Sequence, residues 1–154
     1  MTGLPRRCGV LLAGGASTRF GGAPKGLAAL GDRRVADGPL RALQASCGEV
    51  VIAANDDAAP TWFPEFRIVI DSEAGRGALG ALETALHASD AATIIVCAWD
   101  MPFVTSALLD ELAEAVEAGA SCVVPVHPGG RHEPLCAAYG RQCAAATTAL
   151  LKRG

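Results

Sequence analysis

Residues 10–30, VLLAGGASTRFGGAPKGLAAL, hold the side chains with the most chemistry in the chain. An apolar run, Val10-Leu11-Leu12-Ala13, stops at Gly14-Gly15; small and polar residues follow, then Arg19, Gly21-Gly22 and Lys25. A short apolar run bounded by glycines is the pattern of a strand buried on both faces. Glycines just past its carboxyl end let backbone N–H groups approach a phosphate with no Cβ in the way. Arg19 adds a planar fork of donors and Lys25 a mobile point charge. The stretch is neither GxGxxG nor GxxxxGK[ST], because Gly26 follows Lys25 where Ser or Thr would stand. Glycine content alone fits a turn with solvated basic residues. Two GG pairs with Arg and Lys, directly after a first strand, favour phosphate binding.

Three more polar residues close apolar runs. Asn55 follows Val50-Val51-Ile52-Ala53-Ala54, Asp71 follows Ile68-Val69-Ile70, and Asp100 follows Ile94-Ile95-Val96-Cys97-Ala98-Trp99. A carboxylate at the end of a central strand can hold Mg2+ that also binds triphosphate oxygens. Strand-end Asp residues also serve as plain helix caps; the phosphate loop tilts Asp100 toward the metal. Asn55 and Asp71 are further candidates to contact a nucleotide bound beyond these strand ends. Asn55-Asp56-Asp57 fits an ordinary polar turn almost equally well, and Asp71 fits a turn or cap.

Positioning these groups takes alternating strands and helices. Strands are predicted over 8–13, 49–54, 67–70, 93–98, 121–126 and 135–139. Helices are predicted within 35–45, where Pro39 marks an early turn or a kink, and over 79–87, 106–118 and 141–152. Thr105 or Ser106 is the expected cap of the third of these, and Gly119 its stop. Residues 31–34 read as a turn, and 56–66, with Pro60, Trp62 and Pro64, as loop. The alternation predicts an α/β fold of three layers, a mostly parallel sheet with helices on both faces. Ligands of such sheets bind outside the carboxyl ends of the strands. Gly14, Gly15, Asn55, Asp71 and Asp100 converge there.

The chain of 154 residues fits one domain, 1–154. A net charge of −3 excludes a general affinity for nucleic acid. No stretch reaches membrane-spanning length and no signal peptide opens the sequence, so a cytoplasmic protein is expected, with no membrane partner. The six cysteines, Cys8, Cys47, Cys97, Cys122, Cys136 and Cys143, form no CxxC and no zinc spacing. Cys97 and Cys122 lie in apolar runs, and all six read as reduced and structural. His87 and His127 show no partner pattern.

LAGGASTRFGGAPKGL resembles the LAGGxSxRMGxxKxL signature of nucleotidyltransferases that use a nucleoside triphosphate, most closely the molybdenum cofactor guanylyltransferase (MobA-type) family. Phe20 replaces the usual Met. Residues 98–103, AWDMPF, resemble that family's CDMPF, with Trp99 where Cys is usual. Residues 75–82, GRGALGAL, resemble GPLxGL with Ala78 for Pro, which leaves the helix start less fixed. Residues 131–139, RHEPLCAAY, resemble GRxQPLxAxY with Glu133 for Gln, which adds a negative charge near the acceptor.

The resemblance implies a Rossmann-like nucleotidyltransferase fold. It places nucleoside and phosphate contacts on Leu12, Ala13, Gly14, Gly15, Arg19 and Lys25, nucleotide contacts on Asn55 and Asp71, and Mg2+ on Asp100. It implies a Mg2+-dependent enzyme joining GTP to the terminal phosphate of molybdopterin, or of its molybdenum-loaded form, with pyrophosphate released, and molybdoenzyme-maturation proteins as candidate partners. The alternatives are a cytidylyltransferase or sugar-phosphate nucleotidyltransferase, and a non-catalytic nucleotide-binding module. The sister cytidylyltransferases usually read LAAG where this chain reads LAGG, which favours guanine; intact Arg19, Lys25 and Asp100 argue against a pure binding module. The family usually continues for a few dozen residues with an NxNTP-like segment, so the acceptor side is expected to be incomplete here.

Overall fold

The apolar run ahead of the glycines forms β1 (Arg7–Leu12), and all its residues are buried. The structure, a computed structural model, describes residues 6–14, 23–70 and 76–154. A 3-10 turn at Lys25–Leu27 leads into a small hairpin, β2 (Ala29–Leu30) against β3 (Arg33–Arg34). The turn expected at 31–34 is thus the tip and second arm of this hairpin. Gly31 supplies the tip with φ 63°, a conformation that costs glycine little.

Next come α1 (Asp37–Ser46) and β4 (Glu49–Ala54). Pro39 sits in the first turn of α1, where its missing N–H forfeits no intrahelical bond. A short helix, α2 (Ala59–Trp62), stands where loop was expected, with Pro60 in its first turn. Then follow β5 (Arg67–Ile70), α3 (Gly77–Leu86), β6 (Thr93–Ala98) and α4 (Ser106–Glu117). Thr105 caps α4, its hydroxyl accepting the Leu108 N–H at 3.3 Å. β7 (Cys122–Val123) is much shorter than the strand predicted over 121–126. Pro125 has no N–H to continue the ladder, and Val126 returns only as a bridge to His132. β8 (Cys136–Gly140) and α5 (Cys143–Arg153) end the chain.

The main sheet runs β5-β4-β1-β6-β8-β7. β1 pairs in parallel with β4 and β6, and β4 with β5, while β8 runs antiparallel to β6 and β7. This is the mostly parallel, three-layer α/β arrangement that the alternation predicted. Leu11, Ile52 and Ile95 face a core shared with Leu43 of α1 and Leu109 of α4. Val10, Val51 and Val96 face the other core, with Leu82 and Leu86 of α3. Burial on both faces explains the near-continuous apolar runs. Each such side chain contributes roughly 1.5–3 kcal/mol.

The first strand also carries a buried cation. Arg7 is 6% exposed and reaches α4: its Nε and an Nη donate to the two Glu117 oxygens at 2.6 and 2.8 Å, and its other Nη to Asp110 at 2.8 Å. The bidentate hydrogen bond from Arg7 holds the Glu117 carboxyl below its ordinary range. Pairing of this kind is what allows an arginine inside a sheet.

All six cysteines are free, as expected, but they differ in setting. Burial pushes the Cys8 thiol up to about 11 and the Cys47 thiol up to about 12. Cys97 and Cys136 are cross-strand partners on β6 and β8. The hydrogen bond between these two thiols, with burial, raises Cys97 strongly. Cys122, expected inside an apolar strand, is exposed because β7 is a two-residue strand at the sheet edge.

Candidate active site

The parallel register decides what meets at the strand ends. Leu12 of β1 aligns with Ala53 of β4 and with Ala98 of β6. The main chain continues this alignment: the Ala13 N–H donates to the Ala53 carbonyl at 2.8 Å and the Trp99 N–H to the Leu12 carbonyl at 3.0 Å. One residue further on, Gly14, Asn55 and Asp100 stand together as exposed neighbours beyond three buried strands. A Cβ on Gly14 would lie 3.3 Å from Asn55 Oδ1.

These three residues line a cleft of about 660 Å³. Leu12, Ala53, Ala54 and Ala98 form its apolar floor, and Leu135, just before β8, closes one side. Gly77, Ala78, Ala81 and Thr84 of α3 supply the opposite wall. α3 begins at Gly77, whose φ of 63° suits glycine, one residue before Ala78. Its first N–H groups have no intrahelical acceptors, and Gly77 and Ala78 border the cleft, which makes this end of the helix a favourable place for negative charge. Gly77, Ala78 and Ala81 fall in the 75–82 segment singled out in the sequence; Thr84 does not, although positions 77, 78, 81 and 84 repeat at the helical spacing that defines one face.

The sequence candidates separate into groups. Leu12, Gly14, Asn55 and Asp100 are brought together. Ala13 is 1% exposed, its side chain joins the core on the α1 and α4 side, and it is not among the residues lining the cleft. Lys25 begins the 3-10 turn and is not among the residues lining the cleft. Gly15, Arg19 and Asp71 lie outside the described residues. Among the described residues, no three His, Cys, Asp or Glu side chains are close enough to hold a metal by themselves. Asp100 is an exposed hard oxygen donor beside the cleft. That suits a Mg2+-type ion, which takes one or two carboxylates and completes its shell with phosphate oxygens and water.

The segment ahead of β8 contains its charge locally. Glu133 Oε2 lies 3.3 Å from His127 Nε2 and 3.9 Å from an Arg131 Nη. The negative charge that Glu133 introduces therefore faces two basic side chains, and His127 has a partner after all. His87 has one too: its Nδ1 lies 2.9 Å from the Glu83 carbonyl. Among the described residues no helix is long and apolar enough to cross a membrane.

Comparison with known proteins agrees with this fold. The chain is 35% identical over 134 residues to the "Probable molybdenum cofactor guanylyltransferase" of Chloroflexus aggregans, across 85% of this chain and 64% of that protein. It therefore spans just under two thirds of that relative's length. In fold it is similar to molybdopterin-guanine dinucleotide biosynthesis protein A of Archaeoglobus fulgidus, with a TM-score of 0.77 at 24% identity over 96% of this chain and 74% of that one. It is similar as well to Rv0371c of Mycobacterium tuberculosis, solved in complex with manganese, with a TM-score of 0.69 at 22% identity over 92% of this chain and 74% of that one. Residues 9–154, from the middle of β1 to the last residue, match the MobA-like NTP transferase domain, and the chain belongs to that family.

Proposed function

We propose that this chain is a nucleotidyltransferase that moves GMP from GTP to the terminal phosphate of molybdopterin or its molybdenum-loaded form, with release of pyrophosphate. The observation that carries the proposal is the rank of Gly14, Asn55 and Asp100 at adjoining strand ends, opening on a cleft faced by the start of α3. The naming of the Chloroflexus relative supports the substrate assignment.

In this scheme the acceptor phosphate is already an anion at neutral pH, so no strong general base is required. A new P–O bond forms at the α-phosphate as the bond to the departing pyrophosphate breaks. The work of the protein is positioning and charge neutralisation. Gly14 gives the nucleotide close access to the backbone. Asn55 and Asp71 read the nucleoside. Arg19 and Lys25 hold phosphate oxygens. Asp100 would hold Mg2+, and the ion would supply charge neutralisation at the triphosphate; the manganese complex of a fold relative supports a divalent ion.

Calorimetric titration with GTP, CTP, UTP and ATP, with and without Mg2+, tests the proposal. Selective, metal-enhanced GTP binding is expected. Preference for CTP would move the chain to the sister cytidylyltransferases, and binding of none of the four would refute the nucleotide site.

A further inference from the structure

We infer that Trp99 is a positioning residue that fixes the Lys25 turn against the end of β6, through the space left by the missing side chain of Gly26; this rests on the phosphate role proposed for Lys25. Trp99 is 4% exposed, and its ring lies on the α1 and α4 side of the sheet. A Cβ on Gly26 would stand 2.3 Å from the indole Cδ2 and Cε3 atoms, well inside contact distance. The turn therefore rests with bare backbone on the ring. On the strand side, Trp99 is tied by its N–H to Leu12 and is followed directly by Asp100.

Residues 25–36 form a closed unit around this contact. The Ala36 N–H donates to the Gly26 carbonyl at 2.9 Å, and the Val35 N–H to the Ala28 carbonyl at 3.0 Å. The indole is itself braced from behind. Trp62 of α2 stacks at 5.7 Å between ring centroids, tilted by 30°. The Trp62 carbonyl accepts an Arg34 Nη at 2.8 Å, and Arg34 is ion-paired with Asp37 at 2.9 Å. A second bare-backbone contact lies close by: a Cβ on Gly38 would stand 2.2 Å from the Pro102 carbonyl oxygen. Residues 99–102 thus meet the 25–38 segment at two glycines, and the Trp99 ring fills the contact between the 25–27 turn and the end of β6. Core packing has no slack to absorb its removal.

Hydrogen exchange and GTP titration of Trp99→Ala, Trp99→Phe and Gly26→Ala test the inference. In Trp99→Ala, exchange at the Leu27, Ala28 and Ala36 amides should rise about tenfold or more, while the Val10 and Ile95 amides keep their protection. Trp99→Phe, which keeps a ring and folds with the smaller loss, should show the same local pattern at lower amplitude. Gly26→Ala should reproduce it from the other side of the contact. If Trp99 acts through Lys25, Trp99→Ala weakens GTP binding about tenfold alone and adds less than about twofold in a Lys25→Ala background. Unchanged exchange at the three amides in every variant overturns the inference, and so does an equal loss of GTP affinity in both backgrounds. A Lys25→Ala protein that binds GTP like the wild type would instead refute the proposed phosphate role of Lys25, and the exchange pattern alone would then decide whether Trp99 holds the turn.

Discussion

Gly14 lies so close to Asn55 that a Cβ placed on it would stand 3.3 Å from the Asn55 Oδ1. The two residues follow β1 and β4, strands paired in register up to Leu12 and Ala53. Gly14→Ala forces the amide to shift by a few tenths of an ångström, because the main chain just ahead of the two residues is pinned where the Ala13 N–H donates to the Ala53 carbonyl. The expected result is GTP binding weakened by roughly threefold to tenfold, with thermal stability little changed. Asn55→Ala should cost at least as much. Calorimetry on both variants checks this; wild-type affinity in both would remove Asn55 from the nucleotide site.

Asp100→Asn keeps the size of the side chain and removes the charge. Turnover is expected to fall by roughly 100-fold or more, with GTP affinity measured in EDTA nearly unchanged. Pyrophosphate release over a series of Mg2+ and Mn2+ concentrations is the measurement. Retained turnover with an unaltered metal dependence would count against Asp100 as the metal ligand.

Stability at low pH should report on Arg7. The Arg7 hydrogen bond depresses the Glu117 carboxyl in the folded protein. A depressed folded value means that the contribution is fully present above the unfolded Glu value of about 4.3 and is lost as pH falls through the folded value. Glu117→Gln should therefore destabilise at pH 7 by about 1 kcal/mol, a modest figure because Glu117 keeps a third of its side chain in water. The two proteins should converge in urea unfolding as pH drops below about 4. A difference that is constant from pH 7 to pH 3 would show that the charge is not responsible.

Thiol chemistry should follow burial. Cys122 is exposed, whereas Cys8 and Cys97 are fully buried and Cys47 is 3% exposed. Burial also holds the Cys8 and Cys47 thiols protonated well above pH 8. Iodoacetamide at pH 8 should modify Cys122 first, leaving Cys8, Cys47 and Cys97 untouched until the protein unfolds. Peptide mapping by mass spectrometry over time gives the order. Early modification of Cys97 would show that the sheet opens between β6 and β8.

Much of the fold was readable because the central strands are buried on both faces. Residues 93–98 form an uninterrupted apolar run that ends abruptly, and β6 spans those same residues. The strand-end rule then led to Asn55 and Asp100 without any knowledge of tertiary contacts. α2 escaped because Pro60 looks like a loop residue unless it falls in a first turn. β7 was overestimated because apolar character persists past Val123, although Pro125 cannot donate to a neighbour. His127 seemed isolated because its partner, Glu133, reaches it only across the turn that precedes β8. Gly26 and Gly38 gave no hint that their missing side chains make room for Trp99 and Pro102.

The reversal of β8 gives the molecule a modular plan. A strand that enters the sheet backwards delivers the segment before it, 124–135, to the same rim as the segments after β1, β4 and β6. Leu135 meets Ala98 there, its carbonyl accepting the Ala98 N–H at 2.7 Å. The rim is thereby divided along β6, with the Gly14 and Asn55 half on one side and the 124–135 half on the other. Segment 124–135 takes no part in the ladder between β1 and β4, so a change of its length or charge leaves that ladder intact. Variation ahead of β8 can in this way reshape the Leu135 side of the cleft while the Gly14 and Asn55 side keeps its form.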